Sequence, residues 1–371
     1  MRVGVPKEVK VHEYRVGLVP ASARELIAHG HQVYVQTGAA DRMGISDDDY
    51  RKVGATVLPN AADVFDVADM IVKVKEPQKA EREMLRQGQT LFTYLHLAPD
   101  PQQAKGLMAS GCTAIAYETV IDGQGGLPLL APMSEVAGRL SIEAAGTALK
   151  RYNGGRGVLI GGVPGVQPAR IVVIGGGVVG MHAARMATGL GAEVSILDRS
   201  LPRLRQLDEM FAGRVRTRFS TSEAIEQEVF AADVVIGAVL VPGASAPKLV
   251  SRDMLGSMQR GSVLVDVAID QGGCFETSHA TNHADPTYEV AGVVHYCVAN
   301  MPGGVPVTSS QALNNATLPF GLTLANKGFA AVAEDAHLRA GLNVHRGRLT
   351  NKAVAESLGL PFSPADDGVA V

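Results

Sequence analysis

One stretch constrains this chain more than any other: Arg170-Ile171-Val172-Val173-Ile174-Gly175-Gly176-Gly177-Val178-Val179-Gly180. A short β-branched run breaks into G-x-G-x-x-G and opens onto the small-residue segment Met181 to Ala187. Strand, tight glycine turn and helix follow in the order a dinucleotide site requires. Gly175 permits the turn, Gly177 lets backbone N–H groups approach a pyrophosphate, and Gly180 lets the helix lie close to the strand. The helix N-terminus, with its unpaired donors and positive dipole end, then faces the phosphates. A second apolar run, Ala192 to Leu197, ends in Asp198, eighteen residues after Gly180. A carboxylate there accepts from the adenosine ribose 2′-OH and repels a 2′-phosphate, which favours NAD over NADP. Arg199 and Arg203 pull the other way, since a nearby Arg accommodates that phosphate. A glycine-rich turn in some other α/β unit would leave Asp198 unexplained.

Length matters next. A chain of 371 residues exceeds what one compact core usually holds, so two domains are expected. With 46% hydrophobic residues and 19% charged ones, the composition is that of a soluble globular protein. A formal charge of -3 gives no reason to expect nucleic-acid or membrane partners. Cys112, Cys274 and Cys297 show no C-x-x-C spacing, and an odd number suits reduced thiols in the cytoplasm. Met1 runs straight into an apparent strand, Arg2 to Pro6, without a basic and then apolar leader, and a cytoplasmic protein is expected.

Strands alternate with helices on both sides of the glycine turn. Before it, strands are expected at 2–6, 31–37, 56–58, 70–75, 90–96 and 113–117. Helices fall between them, with Gly30 ending the first and Ser46 and Asn60 capping two others. A long helix from about 134 to 151, with Ser134 as its cap, bridges to the nucleotide unit. Beyond Asp198, helices at 201–211 and 222–230 alternate with strands at 215–219, 233–239, 262–267 and 293–298, and 251–258 repeats the helical pattern. This spacing implies mostly parallel sheets and a six-stranded dinucleotide domain. From Ser309 to about Lys327 the pattern becomes a long helix, followed by shorter ones. The expected fold is therefore α/β with two domains. A Rossmann-type doubly wound parallel sheet (129–306) is inserted into a second α/β substrate domain made of 1–128 together with 307–371.

Chemistry is expected where parallel strands end. Lys75 follows Val74 before the Glu76-Pro77 stop, and His96 follows Leu95 before a Pro-containing turn. A lysine at such a place is rarely buried without a role or partner, and histidine is the side chain best suited to acid/base work near neutrality. Spacing alone equally allows Lys75 to reach solvent and His96 to cap a loop. Lys73, one pleat earlier, reads as a salt-bridge partner. Arg15 lies in the charged loop from Lys7 to Val16; it is either a planar fork for a small carboxylate or a solvated side chain. Asp270 follows the run Val265 to Ile269, at the nicotinamide end of the crevice, where it serves as a base or sits as a turn residue.

These residues lie within longer runs that resemble the alanine dehydrogenase family, which also holds the NAD-binding subunit of proton-pumping transhydrogenase and saccharopine dehydrogenases. Arg2-Val3-Gly4-Val5-Pro6-Lys7-Glu8 with Glu13-Tyr14-Arg15-Val16 is similar to the opening of its members. Val72 to Pro77, Tyr94 to Ala98, Leu130 to Arg139, Gly161 to Val166, Asp266 to Gly273 and Val298 to Pro302 continue the likeness. The resemblance implies NAD-dependent reversible oxidative deamination of L-alanine to pyruvate and ammonium. It casts Arg15 and Lys75 as carboxylate holders, Lys75 also polarising the carbonyl or imine. His96 becomes the acid/base and Asp270 the group that activates water. Ser134, Gly177, Val178, Asp198, Arg203, Ser220, Val239, Leu240, Ile269, Asp270, Val298, Asn300 and Met301 become nucleotide contacts beside Gly175 and Gly180. Met133 and Tyr94 border the substrate methyl. The family also implies a homohexamer and domain closure. Where some members hold a divalent ion, this chain reads Leu322-Thr323-Leu324-Ala325-Asn326-Lys327, so no metal is expected there. His279 stands where relatives often carry an arginine. Two alternatives remain: a sister dehydrogenase acting on another amino acid, and a non-catalytic NAD-binding subunit.

Overall fold

The computed structural model describes residues 1–239 and 246–364. The chain divides into two compact units, one built from 1–133 with 303–371 and the other from 134–302. Among the described residues the first unit contains an eight-stranded sheet and the second a seven-stranded one. This is the two-domain α/β architecture expected from the alternating pattern.

The first unit opens with strand β1 (Arg2–Val5), helix α1 (Pro20–Ala28), β2 (Gln32–Gln36), α2 (Asp47–Lys52), β3 (Thr56–Leu58) and α3 (Ala61–Val67). It continues with β4 (Met70–Val72), α4 (Lys79–Met84), β5 (Thr90–Thr93), α5 (Pro101–Ser110) and β6 (Thr113–Ala116). Local chemistry explains the starts. Pro20 occupies the first turn of α1, where its missing N–H costs nothing. Ser46 and Asp49 form a reciprocal capping box on α2, and these bonds hold the Asp49 carboxyl down at about 2. Asn60 accepts from the Asp63 N–H at the head of α3.

Two strands are shorter than their apolar runs, for one physical reason. β4 stops at Val72 rather than Lys75 because the N–H groups of Val74 and Lys75 go to the Glu8 carboxylate, at 2.7 and 3.4 Å. β5 stops at Thr93 rather than His96 because the N–H groups of Leu95 and His96 go to Glu118. In both places a carboxylate replaces the neighbouring strand.

The long helix α6 (Ala131–Ala148) carries the chain into the second unit. It begins earlier than expected, because Pro132 is accommodated in its first turn. Ser134 is therefore inside the helix and not its cap, and Arg151–Asn153 form a separate short turn. There follow β7 (Arg170–Ile174), α7 (Val178–Gly189), β8 (Glu193–Asp198), α8 (Leu201–Phe211), β9 (Val215–Phe219) and α9 (Ser222–Ala231). Then come β10 (Val234–Gly237), α10 (Arg252–Leu255), β11 (Val263–Asp266), β12 (Thr287–Val290) and β13 (Val293–Tyr296). Strand order is β12-β13-β11-β10-β7-β8-β9, parallel except for β12, a seventh strand the pattern did not disclose. The pleat of β7 explains why both faces are covered. Ile171 and Val173 join Ile142, Ala183 and Ala187 on one face, while Val172 and Ile174 join Ile225, Val229 and Phe275 on the other.

The chain returns to the first unit through α11 (Pro306–Lys327), α12 (Ala330–Glu334) and α13 (Ala336–Ala340), and then β14 (Leu342–His345), β15 (Arg348–Leu349) and α14 (Lys352–Leu358). The eight-stranded order is β15-β14-β6-β5-β4-β1-β2-β3; β14 lies antiparallel to β6, and the first six strands are mutually parallel. Polar side chains of α11 tie it to the first loop: Ser310 accepts from the Val16 N–H and Asn314 from the Val19 N–H. Among the described residues no helix is long and apolar enough to cross a membrane.

Candidate active site

In the first unit the chemistry-bearing residues follow β1, β4, β5 and β6, which are neighbours in the sheet. Arg15 is buried, which removes the solvated reading. Its Nε and one Nη donate to the two carboxylate oxygens of Glu13 at 2.7 and 2.5 Å, and its other Nη lies 3.1 Å from the Met133 sulfur. Burial works against the guanidinium charge, but Glu13 outweighs it and raises the pKa further.

Lys75 is also buried, with Nζ 3.9 Å from Glu76 Oε2. Glu76 takes a second cation, Lys10, on Oε1; despite burial, Lys75 and Lys10 together lower its pKa. Its Oε2 accepts no hydrogen bond among the described residues. Lys73 is a structural cation, as its position suggested. It is fully buried between Glu8 (3.1 Å) and Glu81 (2.6 Å), and burial, outweighing Lys73, raises the Glu8 pKa.

His96 occupies the left-handed region at φ +49°, rare for a non-glycine residue. Its N–H donates to Glu118 at 2.6 Å, and its ring lies parallel to Tyr94, with centroids 5.8 Å apart. The imidazole is over a third exposed, and Nδ1 stands 3.9 Å from Glu118. The ring is thus aimed by backbone capping and stacking while its edge stays accessible. Tyr94 is buried, donates to the Leu129 carbonyl at 2.6 Å, and feels the charge of Arg15. Glu76 feels both Lys75 and His96. Arg15, Lys75 and His96 therefore share one electrostatic neighbourhood.

In the second unit the glycine turn has the geometry its sequence demands. Gly175 has φ +105°, and a Cβ on it would stand 2.6 Å from the Ala238 carbonyl oxygen. A Cβ on Gly180 would stand 1.8 Å from the Gly175 carbonyl oxygen. A Cβ on Gly177 would meet nothing within 4 Å among the described residues beyond its chain neighbours, so a ligand has room to approach. Among the described residues no side chain caps α7, and Val178 at its first turn is exposed, leaving helix-terminal donors for a phosphate.

Asp198, at the end of β8, accepts from the N–H groups of Gly176 and Ser200, both at 2.7 Å. Arg203 Nε donates to the Gly176 carbonyl at 2.6 Å, so the acid and the arginine hold one residue of the turn through its two flanking peptides. Ser220 donates its N–H to the Asp198 carbonyl. Val239 packs beside Gly175, while Leu240 lies outside the described residues. These residues cluster where the strand order turns from β8 through β7 to β10, the place where an open α/β sheet binds ligands. The set fits a dinucleotide.

Asp270 does not end a strand as expected. β11 stops at Asp266, and Asp270 is exposed on a single turn, Ile269–Gln271, with Ile269 buried beneath it. Beyond β13, Val298 and Met301 are buried and Asn300 is left-handed at φ +65°, its carbonyl 3.3 Å from His283 Nε2. Ser134 is half-buried in α6. His279 stacks on Tyr288, with ring centroids 3.6 Å apart. Among the described residues no three His, Cys, Asp or Glu side chains gather as metal ligands would.

Of the four supporting carboxylates Glu8, Glu13, Glu118 and Asp266, three carry no signal in spacing. Glu118 alone was reachable, because it stands two residues past the end of β6.

Two family models cover the chain: the alanine dehydrogenase/PNT N-terminal domain matches 4–137 and the C-terminal domain of the same family matches 141–352. An alanine dehydrogenase of Halomonas elongata is 60% identical over 366 residues, covering 98% of this chain and 99% of the relative. One from Bacillus subtilis is 51% identical, covering 99% and 97%. A solved L-alanine dehydrogenase superposes with a TM-score of 0.93 at 53% identity over 97% of this chain and 99% of its own. A transhydrogenase from Sinorhizobium meliloti gives 0.80 at 26% identity, over 95% of this chain and 100% of its own. Matched from end to end in both sequence and fold, the chain belongs to the alanine dehydrogenase/PNT family.

Proposed function

We propose that the chain catalyses the reversible oxidative deamination of L-alanine: L-alanine, NAD+ and water give pyruvate, ammonium, NADH and a proton. The observation that carries this reading is the buried Arg15–Glu13 fork in one electrostatic neighbourhood with Lys75 and His96. Such a set suits one small carboxylate with an acid/base beside it.

Arg15, oriented by Glu13, holds the substrate carboxylate together with Lys75. Met133 and Tyr94 border a short apolar side chain, which sets a modest preference for methyl over larger groups. His96 accepts a proton from the α-amino group, and Lys75 polarises the nitrogen or oxygen on the α-carbon. When bound, the nicotinamide supplies the acceptor for the electron pair and hydrogen leaving the α-carbon. Asp270 takes a proton from the water that adds to the resulting iminium carbon. The carbinolamine then collapses to pyruvate and ammonia, which leaves as ammonium. The turn Gly175 to Gly180 with Arg203 holds the pyrophosphate side of NAD, and Asp198 selects the free ribose hydroxyl. Ser134, Ser220, Val239, Ile269, Val298, Asn300 and Met301 line the remainder. A cytoplasmic homohexamer, by resemblance to the family, belongs to the same proposal.

The test is NADH absorbance with purified protein at alkaline pH, with L-alanine or D-alanine and with NAD+ or NADP+. A rise with L-alanine and NAD+ alone is expected. A flat trace from protein that still binds NAD overturns the reading, and lysine, glycine and serine would then be tried as donors.

A further inference from the structure

We propose that Lys248 is a positioning residue for Asp270, holding from outside the turn that Asp266 holds from within. The inference rests on reading Asp270 as the group that activates water. Asp270 sits on one short turn, and its carboxylate accepts no hydrogen bond among the described residues. Two glycines follow, Gly272 at φ +87° and Gly273 at φ +78°, so the backbone itself restrains the turn weakly. The restraint comes from elsewhere. Lys248 Nζ donates to the carbonyls of both Gly272 and Gly273, the second at 2.9 Å. Beside it the Ala246 N–H donates to the Gln271 carbonyl at 3.0 Å, and the Leu249 N–H to the Cys274 carbonyl at 2.7 Å.

From within, Asp266 Oδ2 accepts from the Cys274 N–H at 2.8 Å and from Ser278 Oγ at 2.5 Å. A Cβ on Gly273 would come within 2.6 Å of that oxygen, so the turn lies directly on the buried carboxylate. Asp266 is fully buried, whereas Lys248 is exposed; among the described residues its ammonium donates only to carbonyls of the turn, and its charge also lowers the Asp266 pKa against the effect of burial. A lysine can serve both because one ammonium carries three donors. Removing Lys248 therefore loosens the turn without opening the core.

Loosening has a specific kinetic signature. Asp270 acts after hydride transfer, so a misplaced carboxylate slows hydrolysis of the iminium and leaves the first reduction intact. The experiment is stopped-flow NADH formation with the full-length enzyme, L-alanine and NAD+. For Lys248→Met the expected result is a first-turnover burst, then a steady state slowed about tenfold or more. The thermal midpoint stays at the wild-type value, and Lys248→Arg restores at least half of kcat. Asp270→Asn is the control arm and shows the burst with a still slower steady state. If Asp270→Asn turns over like the wild type, the reading of Asp270 falls. If Asp270→Asn bursts while Lys248→Met matches the wild type, or Lys248→Met simply melts and loses NAD, the positioning role falls.

Discussion

His96 and Asn300 were both singled out from sequence, and both adopt left-handed backbone without being glycine. Such conformations persist only where the surroundings hold them, and they gather at functional sites. At His96 the holding group is visible: Glu118 takes the N–H of the strained residue. Arg15 depends on Glu13 in a comparable way. Replacing one partner of a buried pair by a neutral group costs about 3–5 kcal/mol, because the remaining charge loses its compensation. Glu13→Gln is therefore expected to lower the urea midpoint by a corresponding amount and to raise the KM for pyruvate. An unchanged melt would show that the pair contributes no net stability. Strand ends and residue chemistry point to Lys75 and His96, while spacing leaves Arg15 open between a carboxylate fork and a solvated side chain. Glu8 and Glu13 give no such signal, because nothing in one dimension says which carboxylate a fold will carry into its interior.

Elements show the same division. Runs bounded by strong caps were read to the residue, as with α8 and β9. Both hairpins were missed, and they share a cause. β12 and β13 are joined by Ala291-Gly292 (φ +51° and +81°), and β14 and β15 by Arg346-Gly347 (φ +48° and +80°). Each is a two-residue turn with both residues at positive φ, which normally announces itself as Asn-Gly or Asp-Gly. Ala and Arg in the first place hide the signal. The helix pair α6 and α7 carries a sharper expectation. A Cβ at Gly138 would meet the Val179 carbonyl oxygen at 2.3 Å, so the two helices touch backbone to backbone there. Gly138→Ala forces α7 away and is expected to cost about 1–3 kcal/mol. It should also weaken NAD binding by titration calorimetry, because Val178 and Gly180 move with α7. Wild-type affinity in a destabilised variant would separate packing from the cofactor site.

Over the whole molecule, four histidines spread across both units, His31, His182, His295 and His345, are pushed below the ordinary value of 6.5, in each case by burial first. Each is neutral in a hydrogen-bonded setting; His182, for example, accepts from Arg139 Nε at 3.2 Å. With the folded pKa depressed, the unfolded chain takes up the proton first as pH falls. Their share of stability is whole above about pH 6.5 and is lost as pH falls through the folded values. The thermal midpoint is expected to drop between about pH 7 and pH 5, and to drop less in His182→Gln and His295→Gln. A flat profile over that range would contradict the shifts.

The antiparallel strand β14 has one more consequence, and it concerns time. β6 emerges from the ribosome early, but its partner on the outer side is not made until the entire second unit has been translated. At roughly 5–20 residues per second that wait is on the order of 10–45 s. Throughout it the outer edge of β6 lacks its native partner, and the N–H groups of Val16 and Val19 wait for Ser310 and Asn314. The nucleotide-binding unit is contiguous and has no such delay. In the cell it can close first, so the part of the chain that begins synthesis is the part that finishes folding last.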